Sequence, residues 1–352
     1  MSMSPLLSAK NLKRHYSVQV PGSLFGKRAT LRAVDGVSFQ LNSGEVLGLV
    51  GESGCGKSTT ARLVLGQLPV SAGEVRFDGD LVPSDQGPEW RKLRRRMQMI
   101  YQNPLDALDR RLPIAVQIAE PFDIHFPGMA RSERTERVQT LMQQVGLRAD
   151  QATSYPHEIS GGQRQRVVIA RALALDPSLL VCDEPVSALD VSIQAQVLNL
   201  LHELREKTGF GALFISHDLK VVRQMSDRVA VMYLGRFVEE GLPEEVFHNP
   251  LHPYTQALVS AAPTPRGNRS RDRIVLDGDP PNPVSVPSGC PFHPRCPVAI
   301  ARCKTDVPKL TIDAGRAVAC HLAAEAGGSL SPAPRPEIKP RSAVKMTLEE
   351  TA

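Results

Sequence analysis

Short apolar segments alternate with longer segments of helical periodicity along most of the chain. Three short runs are apolar apart from Ser178: Val46–Val50, residues 178–182 and residues 212–215. Such runs are typical of strands buried on both faces. Between the last two runs, apolar residues at helical spacing predict an amphipathic helix: Ile193, Val197, Leu200, Leu201 and Leu204. This alternation of strand and helix predicts an α/β fold with a parallel-sheet core.

Two further strands are predicted before the first buried run. Leu6 to Val18 is expected to form an edge strand, and residues 31–41 a second strand with Val37 and Phe39 on one face. Residues 42–44 are expected to turn the chain into the buried strand. Later segments with strand character are residues 97–101 and 228–233.

Residues 105–175 carry helical patterns instead. Val138, Leu141, Met142 and Val145 fall on one helix face, and Gly146 is placed to end that helix. A second helix is predicted from about Gln163 to Leu175. The sequence therefore predicts a helical subdomain at about 103–175, inserted into the parallel-sheet core.

Composition changes after the last predicted strand. Residues 262–288 are rich in proline, glycine and arginine, residues 290–320 hold four of the six cysteines, and residues 327–352 form a polar Ser/Pro tail. We therefore predict a main domain at 1–249, a small irregular cysteine-containing extension at 250–326, and a disordered tail at 327–352.

Charge and hydropathy narrow the functional classes. The net charge of +5 is only weak evidence for a charged binding partner. Aromatic residues make up 5% of the sequence, which is few for a surface that stacks on nucleic-acid bases. The basic run Arg91–Arg96 is expected to be a solvated face. No apolar run is long enough for a membrane-spanning helix, and the N-terminus lacks the apolar core of a secretory signal. A cytosolic chain whose cysteines do not form disulfides is expected.

The strand at 46–50 leads directly into a glycine-rich loop with the phosphate-binding pattern G-x-x-x-x-G-K-[ST]. Its residues are Gly51, Glu52, Ser53, Gly54, Cys55, Gly56, Lys57, Ser58 and Thr59. Backbone N–H groups of the loop and the N-terminus of the following helix, predicted at 57–65, would face phosphate oxygens. Lys57 would reach the β- and γ-phosphates of ATP, and the Ser58 hydroxyl would ligate Mg²⁺.

Two carboxylates follow the buried strand at 178–182. Asp183 is placed at the C-terminal end of the strand, where it would hold Mg²⁺ directly or through water. Glu184 would orient and deprotonate the water that attacks the γ-phosphate. The sequence therefore predicts hydrolysis of the nucleotide as well as binding.

A second anion-binding helix N-terminus is predicted at Ile159-Ser160-Gly161-Gly162-Gln163. One nucleotide does not need two such helix ends on the same chain. The second end is explained if it acts on the nucleotide of a partner subunit.

These motifs together resemble the ATP-binding-cassette (ABC) ATPases, from about Leu6 to Asn249, with Ile159 where the family signature usually has leucine. The resemblance implies a P-loop NTPase fold with antiparallel edge strands beside the parallel core. It also implies roles for further residues: Tyr16 stacks on adenine, Gln102 senses Mg²⁺ and couples to membrane subunits, Ser187–Asp190 crosses the dimer interface, and His217 contacts the γ-phosphate. Lys57, Glu184 and His217 would be the catalytic residues. Two such domains are expected to close head to tail around ATP.

The C-terminal segments His252-Pro253-Tyr254 and Gly289 to Cys296 resemble the extension on ATPases of oligopeptide and dipeptide permeases. This resemblance implies a peripheral ATPase on the cytoplasmic face of a bacterial inner membrane. Its implied partners are two integral-membrane permease subunits, an extracytoplasmic substrate-binding protein and a second ATPase subunit, with a heterodimer favoured. No nucleic-acid partner is expected.

Four cysteines of the extension suggest a metal centre. Cys290, Cys296, Cys303 and Cys320 leave five, six and sixteen residues between successive members, without the paired C-x-x-C spacing usual for zinc. An iron–sulfur cluster tolerates looser spacing, and the resembling extension carries [4Fe–4S]. Zinc and a metal-free loop stay open alternatives. Cys55 and Cys182 are expected to be a small loop residue and a buried strand residue.

Other functions stay open at this stage. A non-transport ABC ATPase acting on DNA or ribosomes usually has two cassettes or a long coiled coil, whereas this sequence has one phosphate loop and neither feature. An iron–sulfur redox or sensing module that only binds nucleotide would not need Glu184 and His217. Among importers, nickel chelates, glutathione and muropeptides are alternative substrates to peptides.

Overall fold

The computed structural model describes residues 4–19, 28–85, 87–262, 273–313, 315–324 and 332–333. The predicted disordered tail at 327–352 lies outside these residues, except for Pro332 and Ala333. No helix within the described ranges is both long and apolar enough to cross a membrane.

Strands and helices alternate through the first two thirds of the chain. The strands are β1 (Leu7–Gln19), β2 (Arg28–Leu41), β3 (Val46–Val50), β4 (Ala72–Phe77), β5 (Asp80–Leu81), β6 (Met97–Ile100), β7 (Leu179–Asp183), β8 (Gly211–Ile215), β9 (Arg228–Tyr233), β10 (Arg236–Gly241), β11 (Thr311–Asp313) and β12 (Arg316–Val318). The helices are α1 (Lys57–Val64), α2 (Pro88–Arg96), α3 (Pro104–Ala107), α4 (Ile114–His125), α5 (Arg131–Gln144), α6 (Gly161–Leu173), α7 (Val191–Thr208), α8 (Leu219–Met225), α9 (Pro243–His248), α10 (Pro253–Ala261), α11 (Arg302–Thr305) and α12 (His321–Ala324). Short 3₁₀ turns lie at Ala149–Thr153, Pro156–Glu158 and His293–Arg295.

The larger sheet has eight strands in the order β11-β12-β10-β9-β3-β8-β7-β6. Its members from β9 to β6 pair in parallel, with β3 between β9 and β8. The strands from β10 to β11 pair antiparallel at one edge. The predicted parallel core with antiparallel edge strands is confirmed.

The smaller sheet is antiparallel, in the order β2-β1-β4-β5. The prediction of an edge strand near the N-terminus was wrong, because β1 pairs with β2 on one side and with β4 on the other. Its second partner, β4, comes from residues 72–77, which the sequence pattern had not identified as a strand. Val37 and Phe39 of β2 are both buried, as predicted.

The core strands are apolar throughout because the sheet is covered on both faces. In β3, Val46 and Val50 pack into one hydrophobic cluster, while Leu47 and Leu49 pack into another on the opposite face. Successive residues of a strand point to opposite faces. Because both faces are buried here, every position is apolar and the run is continuous instead of alternating.

Helices α4 to α6, which lie in the predicted helical subdomain, pack on one of these clusters. The α5 residues Val138, Leu141 and Met142 are buried in the same cluster as apolar residues of α4 and α6. Gly146 follows the end of α5 with a φ of 72°, the left-handed conformation expected of a residue that ends a helix. The basic run 91–96 lies on α2, which has no buried residue, in agreement with the predicted solvated face.

The cysteine-containing extension is attached directly to the core sheet. Its strand β12 pairs with β10, with Val318 opposite Glu239. Glu239 is fully buried, accepts hydrogen bonds from the backbone N–H groups of Leu251 (2.8 Å) and His252 (2.9 Å), and pairs with Arg316 at 3.0 Å. A buried carboxylate with these partners fixes the extension to the main domain. The division of the chain at 249 stays a prediction.

Candidate active site

A cleft of about 880 Å³ opens at the C-terminal edge of the parallel strands. Strand β3 ends at Val50, β7 at Asp183 and β8 at Ile215, so the loops that follow these strands meet at one place. The cleft is lined by ten of the predicted site residues: Tyr16, Ser53, Gly54, Gly56, Lys57, Ser58, Thr59, Gln102, Glu184 and His217. Residues from five separate segments are thus brought together.

The phosphate loop depends on glycine at two crowded positions. Gly51 has a φ of 154°, and a Cβ there would lie 2.2 Å from the carbonyl oxygen of Met232. Gly56 has a φ of 111°, and a Cβ there would lie 2.3 Å from the carbonyl oxygen of Ala33. Any side chain at either position would displace the loop from the sheet.

Lys57 is buried behind this loop. Its Nζ donates hydrogen bonds to the carbonyl oxygens of Gly51 at 2.8 Å and Glu52 at 3.0 Å. The ammonium group is therefore fixed among backbone dipoles at the start of α1, where it can turn toward a bound phosphate. Cys55 is a buried loop residue, as expected.

The Ser58 hydroxyl donates a hydrogen bond to Oδ1 of Asp183 at 3.0 Å. Burial raises the pKa of Asp183, while the hydrogen bond from Ser58 lowers it. A buried carboxylate beside a hydroxyl fits the oxygen ligands that Mg²⁺ prefers. Within the described ranges, no cluster of three or more His, Cys, Asp or Glu forms a metal site. A magnesium ion here would be held by a single carboxylate, Asp183, together with the Ser58 hydroxyl and the Gln102 amide.

Glu184 is held by groups from two other strand ends. Its Oε2 accepts a hydrogen bond from Nε2 of Gln102 at 2.9 Å and lies 3.1 Å from Nδ1 of His217. Its backbone has a φ of 49°, an uncommon conformation for a non-glycine residue that concentrates at functional sites. Its backbone N–H donates to the carbonyl of Ile215 at 2.9 Å, which fixes this turn.

The second predicted anion site lies outside this cleft. Ser160 is the N-cap of α6: its hydroxyl accepts from the Gln163 N–H at 3.3 Å, and the Gln163 side chain accepts from the Ser160 N–H at 2.9 Å. Ser160 and Gly161 are exposed, and Gly162 is buried. The four residues from Ser160 to Gln163 do not line the chain's own cleft.

The loop at 187–190 has local partners in this chain. The Ser187 hydroxyl donates to the carbonyl of Glu184 at 3.1 Å. Asp190 is the N-cap of α7 and accepts from the Ile193 N–H at 3.0 Å. Asp190 therefore has a clear structural role as a helix cap, in addition to the predicted interface role.

Tyr16 lines the opposite end of the cleft, with the Arg14 guanidinium 4.4 Å from its ring centre. The sequence analysis missed Pro283, which also lines the cleft and whose carbonyl accepts from the Arg32 N–H at 3.1 Å. Nothing in a proline-rich segment indicates that one of its residues reaches a nucleotide site.

The phosphate loop also contacts the extension, which the sequence analysis did not anticipate. The Glu52 carboxylate accepts two hydrogen bonds from Arg295, at 2.9 and 3.1 Å. The backbone N–H of Glu52 donates to the Tyr254 hydroxyl at 2.9 Å. The motif assigns Glu52 to a variable position, so its pattern gives no signal for these partners.

The four cysteines of the extension lie near enough to influence one another electrostatically. Cys290, Cys303 and Cys320 are buried, Cys296 is partly buried, and the backbone N–H of Cys290 donates to the Cys303 carbonyl at 2.9 Å. Burial raises the pKa of Cys290 to about 11 and that of Cys296 to about 12, with smaller contributions from the neighbouring cysteines. In the described parts of the chain these thiols do not meet the geometry of an ion site, so the predicted metal centre gains no support there.

Comparison with known proteins gives the class that this fold and site define. Residues 34–187 match the family model described as ABC transporter, and residues 238–303 match the model described as oligopeptide/dipeptide transporter, C-terminal region. The chain belongs to the ABC transporter ATPase family, and it carries the C-terminal region of the oligopeptide/dipeptide group.

Similar curated proteins span nearly the whole chain. The chain is 47% identical to a probable peptide ABC transporter ATP-binding protein, y4tS, of Sinorhizobium fredii, over 98% of this chain and 96% of the relative. It is 49% identical to the di/tripeptide transport ATP-binding protein DppF of Pseudomonas aeruginosa, over 91% of this chain and 98% of the relative. It is 48% identical to the oligopeptide transport ATP-binding protein OppF of Salmonella typhimurium, over 90% and 95% respectively.

Two solved structures share the cassette fold. One is the dimeric post-hydrolysis state of the ATP-binding cassette MJ0796 bound to ADP and Pi, with a TM-score of 0.60, 27% identity, and coverage of 67% of this chain and 98% of that one. The other is cbiO1 of Clostridium perfringens, part of the ABC transporter complex cbiONQ, with a TM-score of 0.60, 27% identity, and coverage of 69% and 91%. The protein is therefore an ATP-hydrolysing cassette.

Proposed function

We propose that this protein is the ATP-hydrolysing subunit of a bacterial importer of di- and oligopeptides. The observation that carries the peptide assignment is the match of residues 238–303 to the C-terminal region of oligopeptide/dipeptide transporters. The relatives that span nearly the whole chain are peptide-transport subunits, which supports the same assignment.

The cleft supports a hydrolytic mechanism in which each residue has a distinct task. Backbone N–H groups of the phosphate loop bind the phosphates, and the Lys57 ammonium reaches the β- and γ-phosphates. Mg²⁺ held by Ser58, Asp183 and Gln102 would neutralise charge on the phosphates. Glu184 orients the attacking water and accepts its proton, and His217 positions that carboxylate beside the γ-phosphate.

We propose that the working unit is a head-to-tail pair of cassettes. Ser160 and Gly161 are exposed at the N-terminus of α6, and Ser160–Gln163 stands outside the chain's own cleft, so it is available to bind the γ-phosphate of ATP on a second cassette. The dimeric ADP-bound state of the similar cassette MJ0796 supports this arrangement. ATP would close the pair, and hydrolysis would reopen it. The second cassette is a non-identical ATPase in this proposal.

The expected remaining partners are two integral-membrane permease subunits and an extracytoplasmic substrate-binding protein. The ATPase would then act at the cytoplasmic face of the inner membrane as a peripheral subunit. These partners are proposed from the family of the chain.

The test is ATP hydrolysis by the transporter reconstituted in vesicles with the membrane proteins that copurify with this chain. Hydrolysis stimulated by di- or oligopeptides with the binding protein present is the expected result. Stimulation only by nickel chelates or glutathione would contradict peptide import. Stimulation of the isolated chain by DNA or ribosomes would favour a non-transport ATPase instead.

We retain an iron–sulfur cluster at Cys290, Cys296, Cys303 and Cys320 as a separate proposal. Its support is that the four thiols are largely buried and near enough to influence one another electrostatically, and that iron–sulfur clusters accept sequence spacings other than the paired C-x-x-C of zinc. Protein purified without oxygen should contain iron and acid-labile sulfide, and C290A should lose both while C182A keeps them. Stoichiometric zinc, or no metal, would reject the proposal.

A further inference from the structure

Glu52, the second residue of the phosphate loop, is held by contacts from inside and outside the loop. Its carbonyl accepts hydrogen bonds from Nζ of Lys57 at 3.0 Å and from the Cys55 N–H at 3.3 Å. Its backbone N–H donates to the hydroxyl of Tyr254, 202 positions later, at 2.9 Å. Its carboxylate receives two hydrogen bonds from Arg295, 243 positions later, at 2.9 and 3.1 Å. The contacts of its N–H and of its carboxylate therefore come from the C-terminal extension.

Arg295 is mounted on a packed part of the extension. It ends the 3₁₀ turn that begins at His293, and only 8% of its side chain is exposed. The preceding Phe292 is buried, and its ring packs 5.5 Å from that of Tyr254. Within the described residues, Glu52 is the only acidic partner of the Arg295 guanidinium. The pair is thus a bidentate contact between two fixed supports.

The charge of Glu52 needs a counter-ion at this place. A carboxylate within a loop that receives a triphosphate repels the ligand, and the repulsion is strong because the site is partly shielded from water. Arg295 supplies one positive charge directly on that carboxylate.

Contacts from the extension also hold the loop independently of the lysine. The Lys57 ammonium has three N–H donors, of which two bind the carbonyls of Gly51 and Glu52 and a third can reach a phosphate. Glu52 is held to other parts of the structure by Tyr254 and Arg295. These two contacts would keep the loop in shape whichever donors of the lysine bind a phosphate.

We propose that Arg295 is a positioning residue of the ATP site, which cancels the charge of Glu52 and fixes the phosphate loop. It acts through Glu52 and not by contact with the reacting atoms. The proposal rests on ATP binding, which the family of the chain shows, and not on the nature of the imported substrate. Failure of peptide import would therefore leave it unaffected.

The test is equilibrium titration of the purified full chain with ATP and Mg²⁺, for R295M, E52Q and the double variant. R295M should weaken ATP binding about tenfold, more strongly at low than at high salt, because an uncompensated carboxylate then repels the phosphates. E52Q should bind ATP at least as tightly as the unmodified chain. The double variant should recover most of the loss, because neither charge is then present.

R223M is the control, since Arg223, on α8, also makes a bidentate contact with a glutamate, Glu244, at 2.9 Å. It should leave ATP binding unchanged. In the assembled transporter, R295M should raise the KM for ATP about tenfold and leave kcat within twofold of the unmodified value. Thermal unfolding of each variant identifies any that fails to fold. Equal weakening in R295M and the double variant, or unchanged binding in R295M, would overturn the proposal.

Discussion

Oε2 of Glu184 lies 3.1 Å from Nδ1 of His217, and the same oxygen accepts a hydrogen bond from Gln102 at 2.9 Å. The three residues follow the ends of the neighbouring strands β6, β7 and β8. One carboxylate oxygen therefore connects the three loops that follow these strands. A water held by Glu184 would be placed by all of them together.

Replacing Glu184 by glutamine should reduce ATP turnover by about 10²- to 10⁴-fold, the usual contribution of a positioned general base. Glutamine keeps the size of the side chain and can still hydrogen-bond to its neighbours, so ATP should stay bound. Turnover of the reconstituted transporter and ATP titration measure the two effects. E203Q on the exposed face of α7 is the control. Wild-type turnover in E184Q would remove Glu184 from the mechanism.

Replacing His217 by alanine should lower turnover by about 10²-fold. The variant loses the group 3.1 Å from the Glu184 carboxylate and, in the proposed mechanism, the contact with the γ-phosphate. ATP affinity should change much less than turnover. H202A, on an exposed part of α7, should behave like the unmodified chain. A variant that hydrolyses ATP normally would show that His217 is a surface histidine only.

The two glycines of the signature should respond differently to alanine. A Cβ on Gly162 would lie 2.4 Å from Cγ2 of Ile193, so G162A should destabilise the isolated chain by about 1–3 kcal/mol. A Cβ on Gly161 would lie 3.5 Å from Leu189, an ordinary contact, so G161A should fold normally. G161A should nevertheless weaken ATP-driven dimerisation if this residue faces the partner's nucleotide.

Chemical denaturation measures the first effect. Sedimentation of the chain mixed with its partner ATPase and ATP, in an E184Q background, measures the second. Equal stability of the two alanine variants would contradict the packing argument. Normal dimerisation of G161A would count against the proposed interface.

His252 should make stability depend on pH. It is buried, its Nδ1 accepts from the Tyr254 N–H at 3.0 Å, and burial lowers its pKa to about 3 from the ordinary 6.5. The folded state thus favours the neutral ring, and this stabilisation is present above pH 6.5. It is lost as the pH falls toward 3, by about 1.4 kcal/mol per pH unit.

In H252N, an amide oxygen can replace Nδ1 as helix cap without titrating. Its free energy of unfolding should therefore fall less steeply between pH 6.5 and pH 4.5 than that of the unmodified chain, whatever its absolute stability. H157N, at an exposed histidine, should keep the original slope. Identical slopes for H252N and the unmodified chain would refute the assignment.

The sequence by itself determined the core of the fold and the identity of the nucleotide site. Runs such as Val46–Val50 are local patterns, because a strand buried on both faces needs apolar residues at every position. The phosphate loop is similarly local: its glycines, Lys57 and Ser58 act within nine consecutive positions. Asp183 and Glu184 could be predicted because a strand end has a fixed place in a parallel sheet.

Only the tertiary structure decided which distant segments meet. The pairing of β1 with β4, the place of Pro283 in the cleft and the contact of Arg295 with Glu52 join residues that are far apart in sequence. Such contacts depend on how complete layers pack, and neither periodicity nor spacing records them. The cysteine-containing extension could be recognised from its residues. Its contacts with the phosphate loop could not, because they depend on how the extension packs against the loop in the folded chain.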